Sequence, residues 1–300
     1  MKDLVIVGGG PAGITAAIYA ARKKLDFAMV SIMLGGQAAW SGEIENYTGF
    51  QVMTGPELVE KFKEHLEKFK FDNLQGVEVK KIEKADGGFR VVLTKGEPLL
   101  GKTVIVASGK RPRMLGVPGE NKFRNKGVMI CATCDGPMFA DKQVAVVGGG
   151  NSALDAALQM IRIASKVYLV NVNKELTGDA VMIEKLKSAA NLEILNSTKT
   201  LEIVGDKFVK ALKVEQGGKS RELSVEGVFV EIGLIPNSQV IDFVDKNELG
   251  EIEINCAAET SCPGVFAAGD VASVPEKQII IAAGDGAKAC LSAFRYLSRH

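Results

Sequence analysis

The stretch "DLVIVGGGPAGITAAIYAARK" (residues 3–23) decides the fold. It runs from an apolar strand through a glycine loop into a helix of small residues, which is the order of a dinucleotide-binding βαβ unit. Gly8 permits the tight turn, Gly10 lets the backbone approach a pyrophosphate, and Gly13 lets the helix pack closely on the strand. The free N–H groups and the dipole at the start of the helix then face the phosphates.

A second stretch, "KQVAVVGGGNSALDAALQMI" (142–161), repeats this pattern with Gly148, Gly150 and Ala153 at the three loop positions. Two such loops in one chain predict two dinucleotides, and a nicotinamide and a flavin are the usual pair. The alternative is one working site and one relic. The predicted fold class is α/β, with two Rossmann-like dinucleotide-binding domains of three-layer ββα architecture, the second inserted in the first.

A second strand follows each loop and ends on a polar residue. Ser31 and Asn171 each lie 23 positions after the first glycine of their loop. A dinucleotide-binding unit usually places there the acidic residue that holds a ribose hydroxyl. Both positions are uncharged here, so the sequence predicts ribose contacts without a carboxylate.

Two stretches that contain glycine and proline, residues 109–120 and 233–238, are interpreted as crossovers between domains. They predict a discontinuous outer domain formed by residues 1–113 and 239–300. The inserted domain, residues 114–238, contains the second glycine loop.

Composition excludes several classes of protein. The chain has 300 residues, 46% of them hydrophobic and 24% charged, with a net charge of +1, which is typical of a globular protein of about two domains. The sequence has no basic block, so nucleic acid is not expected as a partner. No apolar run reaches ~18 residues, and no signal peptide precedes the first strand, so we expect a cytoplasmic protein with no membrane contact.

The stretch "CATCDG" (131–136) contains Cys131 and Cys134, the only CxxC pair among five cysteines. The pair could bind a metal, brace the fold or carry electrons. A four-cysteine zinc site needs a second close pair, so no metal is predicted. His65 and His300 are the only histidines, and neither forms a credible catalytic arrangement with a nucleophile. Cys256 and Cys262 are isolated by position, Cys290 lies in an apolar helical stretch that favours a small core residue, and the sequence assigns none of the three a role.

Seven motifs occur in a specific order along the whole chain: "GGGPAG", "GGQ", "IENYTGF", "ASGKRPR", "CATCDG", "GGGNSALDAA" and "GVFAAGDV". This order resembles the low-molecular-weight thioredoxin reductases. The flavoprotein component of alkyl hydroperoxide reductase is similar and carries an additional N-terminal domain. In this subfamily the CxxC lies in the inserted domain, whereas in glutathione-reductase relatives it lies in the flavin domain.

The resemblance implies two sets of cofactor contacts. FAD in the outer domain would be contacted by Gly8, Gly10, Pro11, Gly13, Ser31, Gly36, Gln37, Asn46, Ala107, Gly109, Gly269, Asp270, Gln278 and Ile279. The nicotinamide nucleotide in the inserted domain would be contacted by Gly148, Gly150, Asn151, Ser152, Ala153 and Asn171.

The resemblance also implies a relay from NAD(P)H through FAD and the Cys131–Cys134 pair to a protein disulfide, such as that of thioredoxin or a glutaredoxin-like protein. Cys134 would lie against the flavin, Cys131 would attack the partner disulfide, and Asp135 would act as acid–base. The thiolate is the attacking form, and the short helix expected after the pair would lower a thiol pKa. The implied assembly is a homodimer whose inserted domain rotates about the two crossovers.

One segment departs from the family pattern. NADPH-dependent members carry a His-Arg-Arg cluster where this chain has Asn171, Val172 and Asn173. Arginine forks hold a 2′-phosphate better than a single ammonium does, so we expect NADH to be favoured over NADPH. The alternatives are the same scaffold fed by ferredoxin or another non-nicotinamide donor, a flavin NADH oxidase, or a redox-sensing flavoprotein. The CxxC argues against the oxidase, whose relatives usually lack it.

Overall fold

The structure, a computed structural model, describes residues 1–41, 43–44, 46–130 and 132–299, and the side chains of residues 43, 133 and 134 are not described. The chain divides into two compact units, one formed by Met1–Arg111 with Ile235–His300 and the other by Pro112–Leu234. The sequence-based boundaries, after residues 113 and 238, lie slightly later. The difference arises because both crossings fall inside short strands, which a glycine and proline pattern does not reveal.

The strands are short in most cases and follow the apolar stretches of the sequence. In chain order they are β1 (Lys2–Val7), β2 (Phe27–Ser31), β3 (Glu43–Ile44), β4 (Met53–Thr54), β5 (Asp72–Gln75), β6 (Val79–Ala85), β7 (Gly88–Leu93), β8 (Leu99–Val106), β9 (Lys110–Pro112), β10 (Val128–Met129), β11 (Gln143–Val147), β12 (Lys166–Val170), β13 (Leu192–Leu195), β14 (Thr198–Gly205), β15 (Val209–Gln216), β16 (Lys219–Ser224), β17 (Gly227–Val230), β18 (Leu234–Pro236) and β19 (Val265–Ala267).

The α-helices are α1 (Pro11–Arg22), α2 (Gly55–Leu66), α3 (Ala132–Asp135), α4 (Asn151–Met160), α5 (Ala180–Lys187) and α6 (Ile279–Leu297). Within the described residues, 3-10 turns lie over Gly36–Trp40, Gly136–Phe139, Ser238–Val240 and Gly269–Val271. No helix in the described part of the chain combines the length and the apolar character that crossing a membrane requires.

The first unit is built on one sheet with the strand order β5-β2-β1-β8-β7-β6, and β19 pairs with the end of β8. β5, β2, β1, β8 and β19 run parallel, whereas β6 and β7 form an antiparallel meander that joins the start of β8. Alternate residues of β1 point to opposite faces: Leu4 and Ile6 pack with α1 and α6, and Val5 and Val7 pack with the meander. The unit therefore has three layers.

The second unit repeats this plan. Its parallel sheet has the order β10-β17-β11-β12-β13, and β14, β15 and β16 form a separate antiparallel sheet. Along β11, Val144 and Val146 pack with α4, while Ala145 and Val147 pack with the antiparallel sheet of β14, β15 and β16. The predicted fold class, two Rossmann-like ββα units with the second inserted in the first, is confirmed.

The first helix and the last helix approach each other closely in the first unit. Gly286 of α6 lies so near α1 that a Cβ built on it would be 2.0 Å from the carbonyl oxygen of Ala12. That distance is far below a van der Waals contact, and the obstacle is backbone, which cannot rotate away. The second glycine of "GDG" is therefore required by packing between helices.

We expect Gly286→Ala to lower the free energy of unfolding by about 1–3 kcal/mol, because the methyl group overpacks the helix contact. Gly284→Ala is the matched control on the same helix, since its Cβ would meet no described atom within 4 Å outside the nearby backbone of its own helix. Alanine there should raise stability by about 0.5–1 kcal/mol through helix propensity. Urea unfolding of both variants checks this, and equal effects would contradict the packing argument.

Candidate active site

The first glycine loop forms a cradle whose walls admit only glycine at two positions. Gly8 has a φ of +119°, and a Cβ on it would lie 2.1 Å from the oxygen of Ala107. A Cβ on Gly13 would lie 1.9 Å from the oxygen of Gly8. At Gly10, in contrast, a Cβ would meet no described atom within 4 Å apart from its chain neighbours. The loop is therefore closed toward the sheet and open at Gly10, as a pyrophosphate requires.

Ser31 ends β2 beside this cradle. Its side chain is buried, and its Oγ has no hydrogen-bond partner within the part of the chain that the structure describes. A buried hydroxyl without a partner is unusual in a folded protein. A cofactor hydroxyl at this position would satisfy it. The predicted FAD site thus fits its group on two counts, an open glycine cradle and an orphaned buried hydroxyl.

Further predicted contacts from distant segments converge on the same region. A Cβ on Gly36 would lie 3.2 Å from Cα of Gly10, and one on Gly269 would lie 3.0 Å from Cβ of Ala12. The "GGQ" and "AAGD" turns therefore both lie against the start of α1. Each glycine has a positive φ, +54° and +71°, which the turns require.

The predicted amide residues are joined to other segments by hydrogen bonds. Gln37 donates from Nε2 to the carbonyl oxygen of Lys110 at 3.1 Å. Asn46 donates from Nδ2 to Oε1 of Gln278 at 3.1 Å, although the two are 232 residues apart in sequence. Tertiary structure thus joins three predicted contact residues in two bonded pairs, Gln37 with Lys110 and Asn46 with Gln278.

The remaining predicted contacts occupy turns and helix starts around the cradle. Pro11 is the first residue of α1, Gly109 has a φ of +65°, and Gln278 immediately precedes Ile279, the first residue of α6. Burial raises the pKa of Asp270, and the nearby Lys277 and Lys110 oppose this rise. Sequence reasoning did not single out these two lysines or Glu251, the buried carboxylate that they contact.

The second glycine loop has the same geometry as the first. Gly148 has a φ of +146°, and a Cβ on it would lie 2.1 Å from the oxygen of Glu231 and 2.8 Å from Cβ of Ala153. A Cβ on Gly150 would meet no described atom within 4 Å outside its chain neighbours. The second cradle is therefore also open where a pyrophosphate would lie.

Two predicted contacts at the start of α4 differ in their surroundings. Asn151 accepts the backbone N–H of Asp179 on its Oδ1 at 2.7 Å, which ties the following loop to the cradle. Thr177 adds a second tie by donating its N–H to the oxygen of Gly149 at 2.8 Å. Ser152 is exposed and stays accessible.

Asn171 has a different environment from Ser31, although the sequence places them alike. It is buried, and its Nδ2 donates to the oxygens of Asn173, Glu175 and Asn196 at 2.9–3.2 Å. Its Oδ1 accepts the N–H of Asn173 at 3.1 Å. The side-chain amide of Asn171 thus forms its hydrogen bonds mainly within the loop after β12 and is not directed at a ribose. The first exposed residues of that loop are Val172 and Asn173.

The predicted dithiol is located only through its neighbours. Cys131 lies outside the described residues, and Cys134 lies in α3, where its side chain is not described. Of the other cysteines, Cys256 is an exposed free thiol, and Cys262 and Cys290 are buried free thiols. Among the described residues, no group of three or more His, Cys, Asp or Glu is placed to hold a metal ion.

Asp135 ends α3 and is half-buried. Burial raises the pKa of its carboxyl, because desolvation disfavours the charged form. The group therefore holds a proton at higher pH than an exposed aspartate. That property suits a proton donor beside the dithiol.

Glu231 is a second carboxylate at this end of the sheet, and sequence reasoning missed it. It follows β17 directly, and its carboxylate accepts a hydrogen bond from the backbone N–H of Ala132. Burial, with the nearby charge of Asp155, raises its pKa to about 7. Its own carbonyl oxygen closes the second cradle under Gly148. The available signal was a glutamate directly after the fully apolar strand "GVFV".

We expect Glu231→Gln to change how stability depends on pH. The folded-state pKa of about 7 lies above the ordinary value of 4.5, so ionisation disfavours the fold and the free energy of unfolding falls as pH rises between these values. Glutamine keeps an oxygen for the N–H of Ala132 but cannot ionise. Relative to the natural chain, the variant should gain about 1–3 kcal/mol between pH 5 and pH 8.

Urea unfolding at the two pH values measures this gain. Glu226→Gln is the control, because Glu226 is an exposed carboxylate in the same segment. A gain no larger than that of the control would contradict the assignment of a half-buried, proton-binding Glu231.

Comparison with known proteins agrees with this geometry. Residues 2–286 match the pyridine nucleotide-disulphide oxidoreductase family. The chain is 43% identical over 301 residues to an alkyl hydroperoxide reductase subunit from Staphylococcus epidermidis, covering 99% of this chain and 59% of that protein. The chain thus spans about three fifths of the length of the curated relatives it matches.

Solved structures show the same fold over the whole chain. Lactococcus lactis thioredoxin reductase superposes with a TM-score of 0.87 at 31% identity, covering 100% of both chains. The T. acidophilum thioredoxin reductase superposes with a TM-score of 0.83 at 36% identity, covering 98% of both chains. The resemblance to low-molecular-weight thioredoxin reductases is confirmed.

Proposed function

The chain belongs to the pyridine nucleotide-disulphide oxidoreductase family, and we propose that it passes electrons from NADH through FAD and the Cys131–Cys134 pair to a protein disulfide. One observation carries the proposal. Glu231 connects the second cradle to the dithiol segment, since its carbonyl oxygen lies under Gly148 and its carboxylate holds the N–H of Ala132. A residue that contacts both the nucleotide loop and Ala132, which follows Cys131 in sequence, supports a redox role for the cysteines rather than a brace.

Membership in this family implies FAD and a nicotinamide nucleotide. Bound FAD supplies the two-electron chemistry that connects hydride transfer to disulfide reduction. In the first unit, Gly10 leaves space for the pyrophosphate, and the N–H groups at the start of α1 face it. Ser31 offers its unpartnered hydroxyl to a ribose. Gln37, Gln278 and Asp270 would orient the flavin end of the cofactor.

The disulfide exchange is carried out by the chain's own residues. The Cys131 thiolate attacks one sulfur of the partner disulfide, forms a mixed disulfide and expels a partner thiolate, which Asp135 protonates. Cys134, as a thiolate, then attacks the sulfur of Cys131 and expels the second partner thiolate. The partner gains two electrons, and the chain is left with a Cys131–Cys134 disulfide. Because burial raises the pKa of Asp135, its carboxyl keeps a proton to higher pH than an exposed aspartate does.

Preference for NADH follows from the loop after β12. Val172 and Asn173 are exposed at its start, and the nearest cation in sequence is the exposed Lys174. A 2′-phosphate carries close to two negative charges and is held best by arginine forks. Because Asn171 is committed to the loop, we place discrimination at the exposed positions and assign Asn171 to shaping the loop that carries them.

We expect kcat/KM with NADH to exceed that with NADPH by at least about tenfold, since an unpaired phosphate costs about 1–3 kcal/mol. The double variant Val172→Arg with Asn173→Arg should narrow or reverse this ratio, whereas Phe208→Arg, at an exposed position of the same unit, should leave it unchanged. Steady-state rates with both nucleotides measure it. A kcat/KM of the natural chain with NADPH that equals or exceeds its kcat/KM with NADH would contradict the assignment of NADH as the donor.

The dithiol role has a separate test. Cys131→Ser and Cys134→Ser should each abolish disulfide reduction while NADH still bleaches the bound flavin, because the hydride step needs neither thiol. Cys256→Ser, which removes an exposed thiol in the other unit, should keep full activity. Thioredoxin, a glutaredoxin-like protein and a peroxiredoxin serve as disulfide substrates, the last because the curated relatives are named for alkyl hydroperoxide reduction.

Two results would contradict this proposal. Full disulfide reduction by either CxxC variant would remove the dithiol from the relay. Bleaching by reduced ferredoxin but by neither nicotinamide nucleotide would make the second cradle a relic and the donor a protein.

A further inference from the structure

A group of three charges, one buried and two half-buried, lies in the first unit, and neither the fold nor the disulfide chemistry explains it. Glu251 accepts on one oxygen, Oε1, from Nζ of Lys110 and from Nζ of Lys277, both at 2.8 Å. The side chains of Glu251, Lys110 and Lys277 are 7%, 11% and 21% exposed, in that order. The other oxygen of Glu251 accepts from Nδ2 of Asn247 at 2.8 Å. We call Lys110, Glu251 and Lys277 the charge triad.

Glu251 is ionised in this setting. Burial opposes its charged form, but hydrogen bonds from Lys110, Lys277 and Asn247 outweigh that effect and hold its pKa at about 2. Two ammonium groups on one carboxylate leave an excess of one positive charge in the triad. A single lysine would already neutralise the carboxylate, and burying a further charge is unfavourable unless something compensates for it. The carboxyl of Asp270 is near both lysines, but burial raises its pKa and disfavours its charged form, so the triad keeps positive charge for a bound negative group.

The triad is directly connected to the residues expected to orient the flavin. The carbonyl oxygen of Lys110 accepts the amide of Gln37 at 3.1 Å. Lys277 immediately precedes Gln278 at the start of α6, and its Nζ also donates to the oxygen of Ala272 at 2.6 Å. Both lysines act on the carboxyl of Asp270. The same groups that fix these contacts thus set the charge around them.

We propose that the charge triad sets the redox balance of the flavin, its excess positive charge stabilising the reduced form over the oxidised form. This inference rests on the proposed function, because it requires FAD at the first cradle. A flavin that has accepted a hydride carries more negative charge than the oxidised flavin, so a nearby fixed cation favours it. Lys110 and Lys277 contribute to this field, and Glu251 reduces it and holds both lysines in place.

Opposite changes of charge within the triad should move the flavin potential in opposite directions. Lys110→Met and Lys277→Met each remove a positive charge and should lower the reduced-to-oxidised ratio at a fixed potential by about tenfold, or about 30 mV for a two-electron couple. Glu251→Gln removes the negative charge and should raise the ratio by a similar factor. The midpoint potential, titrated against a reference dye by visible absorbance, is the measurement.

Two further variants separate charge from structure. Lys277→Arg keeps the cation and should keep the potential of the natural chain. Lys102→Met removes a lysine that pairs with Asp3 at 3.0 Å on an exposed part of the same unit, and should also leave the potential unchanged. If the triad has only a structural role, the flavin potentials of Lys277→Met and Glu251→Gln should shift in the same direction or not at all.

The outcomes distinguish this inference from the proposed function. If the natural chain binds no FAD, both the proposed function and the triad inference are overturned. A different result overturns the triad inference alone. In that case the natural chain binds FAD, but the flavin potentials of Lys277→Met and Glu251→Gln shift in the same direction, or shift no further than that of Lys102→Met. If Lys110→Met or Lys277→Met binds no flavin, the comparison of Glu251→Gln with Lys277→Arg decides: equal potentials in these two overturn the inference.

Discussion

The structure depends on the contact between the first helix and the first strand at Gly13. Because a side chain there would overlap the carbonyl of Gly8, the helix can approach the sheet only at a glycine. That approach directs the start of α1 toward the loop and leaves Gly10 open for a phosphate. It also brings α1 to where α6 crosses it at Gly286, so the last helix of the chain closes the first unit.

Carboxylates in different surroundings show how the fold divides chemical tasks. Glu251 has two lysines on one oxygen, which keep it ionised despite burial. Glu231 and Asp135 are half-buried without such partners, and desolvation raises the pKa of both. The first arrangement provides a fixed charge, and the second provides carboxyl groups that keep a proton to higher pH than exposed carboxyls do.

Ser31 and Asn171 show where sequence analogy ends. Both close the second strand of a βαβ unit at the same spacing, yet Ser31 leaves a buried hydroxyl without a partner among the described residues, whereas Asn171 bonds to three neighbours. The difference arises because the loop after β12 folds back over its glycine cradle. Equivalent positions in a repeated fold therefore need not contact equivalent ligand groups.

Sequence alone determined the two dinucleotide folds, the insertion of one in the other and the CxxC, since glycine spacing and apolar runs are local and report strand, turn and helix directly. Only the tertiary structure decided which distant residues meet. The bond from Asn46 to Gln278, the charge triad and the contact of Glu231 with Ala132 join segments far apart in the chain. Burial, which sets the proton affinity of Glu231, belongs to packing and has no local pattern.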